Sequence, residues 1–145
     1  MIVRKATLAD LPDLVGCVVE FASVGYPDEV PDRDHIAQVV SGAIGNPSSL
    51  VTVLQEDDGR LSGCYMGTAI QNMISGRAVS VEILFWVREG RRGHGAKLLS
   101  FAEAWADDMG CLQMFLSCPA TSPRAAKYFE AKGYKLTECH YGKAL

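Results

Sequence analysis

Residues 79–118, "VSVEILFWVREGRRGHGAKLLSFAEAWADDMGCLQMFLSC", restrict the fold more than any other stretch of the chain. They open on β-branched and aromatic residues from Val79 to Val87, which read as a strand. Gly90, Gly93 and Gly95 interrupt that run. Apolar residues then recur at Leu98, Ala102, Trp105 and Met109, the spacing of an amphipathic helix, and Gly110 stands where its C′ residue belongs. "CLQMFLSC" follows as a short, nearly continuous apolar strand, the kind buried on both faces. Two strands of one sheet joined through a helix run parallel, by a right-handed crossover.

The flanking segments add antiparallel neighbours. "IVRKA" reads as a first strand. Thr7, with Asp10 three residues on, forms a carboxylate version of the capping box ahead of a first helix. The stripe of that helix is Leu8, Leu11, Leu14, Val15, Val18, Val19 and Ala22. The loop "GYPDEVPDRD" leads to a second helix that stops near Gly45-Asn46-Pro47. "SLVTVLQ", an Asp-Gly turn, and "LSGCYMGTAIQNM" read as a hairpin, and "ISGR" turns the chain into the strand at 79–87. Ser122 and Pro123 open a last helix closed by Gly133, and "YKLTECHYGKAL" is expected to add a final strand. The order is β-α-α-β-β-β-α-β-α-β, an α/β chain with a mixed sheet in a single domain spanning residues 1–145.

Composition removes several classes. The 145 residues carry a net charge of −3, which argues against a general nucleic-acid binder. No stretch approaches the ~20 apolar residues that a membrane span needs, and the start, "MIVRKATLAD", lacks the apolar run of a secretory signal. The five cysteines, Cys17, Cys64, Cys111, Cys118 and Cys139, have no metal-type spacing and read as reduced thiols of a cytoplasmic protein. No metal site is expected.

Against this acidic background Arg91, Arg92 and Lys97 gather at the glycine turn. A helix N-terminus presents unpaired N–H groups and about half a positive charge, so an anion suits it. Glycine lets backbone approach that anion without a Cβ in the way. The turn matches neither a P-loop, which needs Lys-Ser/Thr directly after its last glycine, nor a dinucleotide fingerprint, whose third glycine falls on Leu98. The plainer alternative is a tight strand-to-helix turn with solvated arginines.

"VRKATLADL", "EILFWVREGRRGHGAKLLSFAEAWADDMGC" and "SPRAAKYFEAKGY" together resemble the GNAT-superfamily N-acetyltransferases, across nearly the whole chain and most strongly in residues 79–134. Gly93-His94-Gly95 and Leu98-Leu99 fit the family's [Q/R]xxGxG[A/G] turn and paired leucines, with Gly90 at the leading Gln/Arg position, so Arg91 or Arg92 has to substitute. The resemblance implies that acetyl-CoA is the co-substrate, its pyrophosphate on the amides of Arg91, Arg92, Gly93, His94, Gly95 and Ala96. It also implies a sheet splayed between the strand at 79–87 and "CLQMFLSC", with the pantetheine arm along the backbone of Phe85, Trp86 and Val87. Homodimers are frequent in the family.

Acetyl transfer to a primary amine needs a base, since an alkylammonium has a pKa near ~10.4. Glu82 is the candidate, the only acid in "AVSVEILFWV" and a position where the family often carries a glutamate. Simple alternation sets it opposite Val81, Ile83 and Phe85, and the plainer reading is a surface-facing carboxylate. The family's acid tyrosine falls on Phe129, leaving its neighbour Tyr128 as the candidate acid, turned by about 100° on the helix. Tyr134, His140 and Tyr141 are lesser candidates: the resemblance implies a terminal strand at the acceptor cleft, where His140 or Tyr141 would meet substrate, and the plainer readings are Tyr134 as the core aromatic of the Gly-aromatic pair and His140 as a satisfied strand residue. Asp28, Glu29, Asp32 and Asp34 offer an acidic rim that would attract an amine. Cys118 has no base near it in sequence and is set aside as a nucleophile. A CoA-thioester sensor without turnover, and an unrelated nucleotide-phosphate protein, are the competing readings.

Overall fold

The computed structural model describes residues 1–145. One five-stranded sheet has the order β1-β2-β3-β4-β5, the strands being β1 (Ile2–Lys5), β2 (Ser49–Gln55), β3 (Leu61–Gln71), β4 (Ala78–Val87) and β5 (Met114–Phe115). The first four run antiparallel in sequence, and β5 lies parallel to β4, as a crossover through a helix requires. Helices α1 (Leu11–Gly25) and α2 (Arg33–Gly45) cover one face. Helix α3 (Gly95–Asp108) covers the other, and α4 (Pro123–Ala131) follows β5.

The period-two and period-3.6 patterns explain these layers. On one face Leu14, Cys17 and Val40 of α1 and α2 pack on Val51, Val53, Cys64, Met66 and Leu84. On the other, Leu98, Ala102 and Trp105 of α3 pack on Leu50, Leu54, Tyr65 and Val87. β2 is buried along most of its length because both faces are roofed. The stripe read from sequence shifts at its ends. Met109 lies beyond α3 and is 38% exposed, while Leu8 sits in a 3₁₀ turn ahead of α1 and is 64% exposed.

The capping box forms at the first junction. The Thr7 N–H donates to Asp10 Oδ2 at 2.8 Å, and the same carboxylate takes two bonds from the Arg4 guanidinium at 2.7 Å. Helices α3 and α4 end where glycine was read to end them, with Gly110 at φ 73° and Gly133 at φ 90°.

Two expectations are corrected. The strand expected across "CLQMFLSC" shortens to Met114–Phe115, and no strand forms after α4. The terminal segment has few apolar residues to bury: Leu136 and Tyr141 are 81% and 96% exposed, so nothing anchors it on the sheet.

Candidate active site

β4 has ten residues, but β5 pairs with only two of them, Ser80 with Met114 and Val81 with Phe115. There the Ser80 N–H donates to the Gln113 carbonyl at 2.9 Å and the Leu112 N–H to that of Ala78 at 3.0 Å. One step further the ladder is broken by a side chain. The Ser117 N–H donates to Glu82 Oε2 at 2.8 Å, so a carboxylate takes the donor from the departing strand. Beyond that point no main-chain hydrogen bond joins β4 to the segment after β5, so this edge of β4 is left unpaired, a wedge in the sheet.

A bulge marks the same place. Met66 of β3 faces Leu84 and Gly67 faces Glu82, leaving Ile83 as the extra residue. Beyond it the Arg88 N–H donates to the Ser62 carbonyl at 2.9 Å, on the β3 side. Alternation then turns the main chain of Trp86 to its β3 partner Cys64, and that of Phe85 and Val87 to the open wedge.

The bulge also changes the setting of Glu82. Uninterrupted alternation allows a surface carboxylate, whereas Glu82 is 7% exposed and its bulged neighbour Ile83 is 49% exposed. Burial pushes the Glu82 carboxyl up to about 7, against the opposing pull of the Ser117 N–H. Two fully buried hydroxyls, those of Tyr65 and Ser80, lie close to one another in the sheet. Gly67, opposite Glu82, makes room for that phenol: a Cβ there would collide with Tyr65 Oη. Sequence patterning flagged neither Ser117 nor this hydroxyl pair, because nothing local distinguishes a serine whose N–H meets a carboxylate 35 residues away.

At the glycine turn the Arg91 N–H donates to the Arg88 carbonyl at 3.0 Å and the His94 N–H to that of Arg91 at 2.9 Å. The Gly95 N–H donates to Arg92. Among the turn's main-chain bonds, Arg92 and Gly93 have no N–H acceptor, and the space where a Gly93 Cβ would stand is open. Arg91 is held on Glu56 at 3.0 and 3.1 Å, while Arg92 makes no ion pair and is exposed. Ala96 lies in the first turn of α3.

Tyr128 also comes to this corner. Its ring centroid is 6.3 Å from that of Phe85, and its hydroxyl is buried without a hydrogen-bond partner. A Cβ on Gly95 would lie 3.9 Å from Tyr128 Oη, so the phenol sits beside the start of α3. Burial raises its pKa, with a smaller push from Glu103. Phe129 is buried and stacks on Phe85 at 6.1 Å. Tyr134 packs on Phe129 at 6.2 Å, at the edge of the same aromatic corner, while His140 and Tyr141 lie away from it. Tyr134 donates to Glu103 Oε1 at 2.8 Å, His140 faces Glu138 at 3.2 Å in the exposed tail, and Tyr141 is in solvent. Burial and the Glu82 charge both hold the Cys118 thiol up, which disfavours a thiolate there. No group of three or more His, Cys, Asp or Glu side chains is placed to hold a metal ion, and no helix is long and apolar enough to cross a membrane.

A mixed sheet that opens beside a glycine turn at a helix N-terminus is the frame of the acetyltransferases, and the comparisons with known proteins agree. The acetyltransferase (GNAT) family model matches residues 14–134, and the chain belongs to that family. Among solved structures, the tetramutant of the BH1408 protein from Bacillus halodurans superposes with a TM-score of 0.88 at 15% identity, over 100% of both chains. The ribosomal-protein-alanine N-acetyltransferase from Brucella melitensis biovar Abortus 2308 gives 0.77 at 14% identity, also over 100% of both. An aminoglycoside acetyltransferase from an uncultured soil metagenomic sample, in complex with sisomicin, gives 0.75 at 15%, over 99% of this chain and 95% of that one. At these identities the likeness is one of fold. Curated protein sequences yield no match.

Proposed function

We propose that this protein is an N-acetyltransferase that moves the acetyl group of acetyl-CoA directly to a primary amine. The single observation that carries the reading is Glu82: a buried carboxylate, raised to about 7, at the point where the wedge opens.

The chain's own groups fit the co-substrate in three places. The free N–H groups of Arg92 and Gly93, under open space, suit a diphosphate, and the unpaired Arg92 adds charge. The main chain of Phe85 and Val87 offers an edge to an extended arm, a form of strand addition. An N–H on that edge suits the acetyl carbonyl oxygen as it gains negative charge. Acetyl-CoA supplies an acetyl group activated as a thioester.

Glu82 takes the proton that an ammonium must lose before it can attack. Its raised pKa suits the task, because a base works best near the operating pH. Tyr128 stands ready as donor to the departing sulfur, since burial keeps its phenol protonated. A thiol of pKa near ~8.5 leaves adequately without help, so Tyr128 assists rather than decides. Five free cysteines support a reducing, cytoplasmic setting.

The test mixes protein, acetyl-CoA and a panel of primary amines and follows free thiol. Amine-dependent release is expected, with kcat/KM breaking near pH 7. Glu82→Gln should lower kcat/KM by ~10²-fold or more and remove that break while acetyl-CoA still binds. Tight acetyl-CoA binding without amine-dependent thiol would mean a CoA-thioester-binding module instead.

A further inference from the structure

Arg88, Arg91 and Arg92 stand at the glycine turn, and two of the three are already held. The Arg88 guanidinium donates to both carboxylate oxygens of Glu20, from Nε at 3.0 Å and from Nη2 at 2.8 Å. That of Arg91 grips Glu56 in the same two-point way, at 3.0 and 3.1 Å. Arg92 has no such partner.

Each acid is rooted in a regular element. Glu20 belongs to α1 and also accepts from the Trp86 indole N–H at 3.4 Å. Trp86 and Arg88 are two residues apart, the repeat of one strand face, so a single carboxylate holds the chain on both sides of Val87. Phe21, next to Glu20, meets the Trp86 ring edge-on at 6.1 Å. Glu56 lies in the β2–β3 turn, where its N–H donates to the Arg60 carbonyl at 2.8 Å and its carbonyl accepts from the Gly59 N–H at 3.0 Å. The glycine turn is thus pinned at Arg88 and again at Arg91, with Gly90 at φ 81° bending the chain between the pins. The free amides of Arg92 and Gly93 come directly after the second pin. Arg88, Glu20 and Arg91 are 40%, 42% and 44% exposed, and pairs this open contribute little to folding stability. Their two-point geometry nonetheless fixes orientation.

Resting on the acetyltransferase reading above, we propose that Glu20 and Glu56 are positioning residues for acetyl-CoA. Through Arg88 and Arg91 they hold the turn in its binding shape before the diphosphate arrives, and they leave Arg92 to meet it. Charge and position predict opposite outcomes. By charge alone, deleting an acid near an anion site strengthens anion binding. By position, deleting it lets the turn take other shapes, and the apparent affinity falls with the fraction still competent.

Acetyl-CoA is titrated calorimetrically into wild type, Glu20→Ala, Glu56→Ala, the double variant and Glu20→Gln. Binding should weaken by about fivefold or more in each alanine variant, and further in the double one. Glu20→Gln, which keeps an acceptor for Arg88 without the charge, should fall between wild type and Glu20→Ala. In thiol-release assays the loss should appear in the KM for acetyl-CoA rather than in kcat. Urea midpoints should stay close to wild type. Amide exchange at the Arg88 and Arg91 N–H should quicken in Glu20→Ala, while that of fully buried Val53 in β2 does not. Unchanged or tighter binding by the alanine variants, where wild type binds, overturns the proposal and leaves the enzyme reading intact. A loss confined to kcat, or faster exchange at Val53 as well, also overturns it. No uptake by wild type would instead remove the acetyltransferase reading, and this proposal with it.

Discussion

Glu82 carries the strongest consequence at the residue scale. Its folded-state pKa of about 7 lies above the ordinary value of 4.5, so the folded protein keeps a proton there that the unfolded chain has released. Stability from this group is complete below pH 4.5 and is lost as pH rises through about 7. Glu82→Gln removes the effect. Urea unfolding at pH 5 and pH 8 should show the variant gaining on wild type by about 2.5 kcal/mol between the two, from ~1.4 kcal/mol per pKa unit. A difference that does not change with pH would mean the carboxyl is not buried as described. Gly67 offers a second check. A Cβ there meets the buried Tyr65 phenol, and Gly67→Ala should cost ~1–3 kcal/mol, as overpacked cores do. Tyr65→Phe in the same chain should recover part of the loss; equal stability of Gly67→Ala and wild type would refute the close fit.

At the scale of elements, the junction between β1 and α1 behaves as an electrostatic clamp. The Arg4 guanidinium, with the Thr7 N–H, holds the Asp10 carboxyl down to about 2. Its contribution is present above the ordinary value of 3.8 and is lost as pH falls towards 2. Asp10→Asn should therefore destabilise by about 2 kcal/mol at pH 7 and by much less at pH 2, read from urea midpoints at both pH values. A pH-independent loss would assign the effect to packing. The elements also explain what could be read in advance. The change from period two to period 3.6 after Gly95, and the helix stops at Gly110 and Gly133, are local signals and were legible. The burial of Glu82 was not, because it depends on a bulge that shifts Ile83 out of register and on an N–H 35 residues away. The tail was overread for a related reason: a strand needs a partner edge and something to bury, and neither is written in "YKLTECHYGKAL".

Taken as a whole molecule, the chain gathers its candidate groups along the unpaired edge of β4. Two packed faces hold the sheet rigid, a carboxylate in place of a ladder bond opens it, and the glycine turn closes one end. The order of strands and helices and the turn motif were enough to point to the family, and the family model spans residues 14–134. Calorimetric titration with acetyl-CoA tests the central claim most directly, by comparing wild type, Glu82→Gln and Gly93→Val. Saturable one-to-one binding is expected for the first two, and at least tenfold weaker binding for Gly93→Val, whose side chain would stand over the free amides of the turn. No uptake by wild type at millimolar coenzyme, or undiminished uptake by Gly93→Val, would contradict the account.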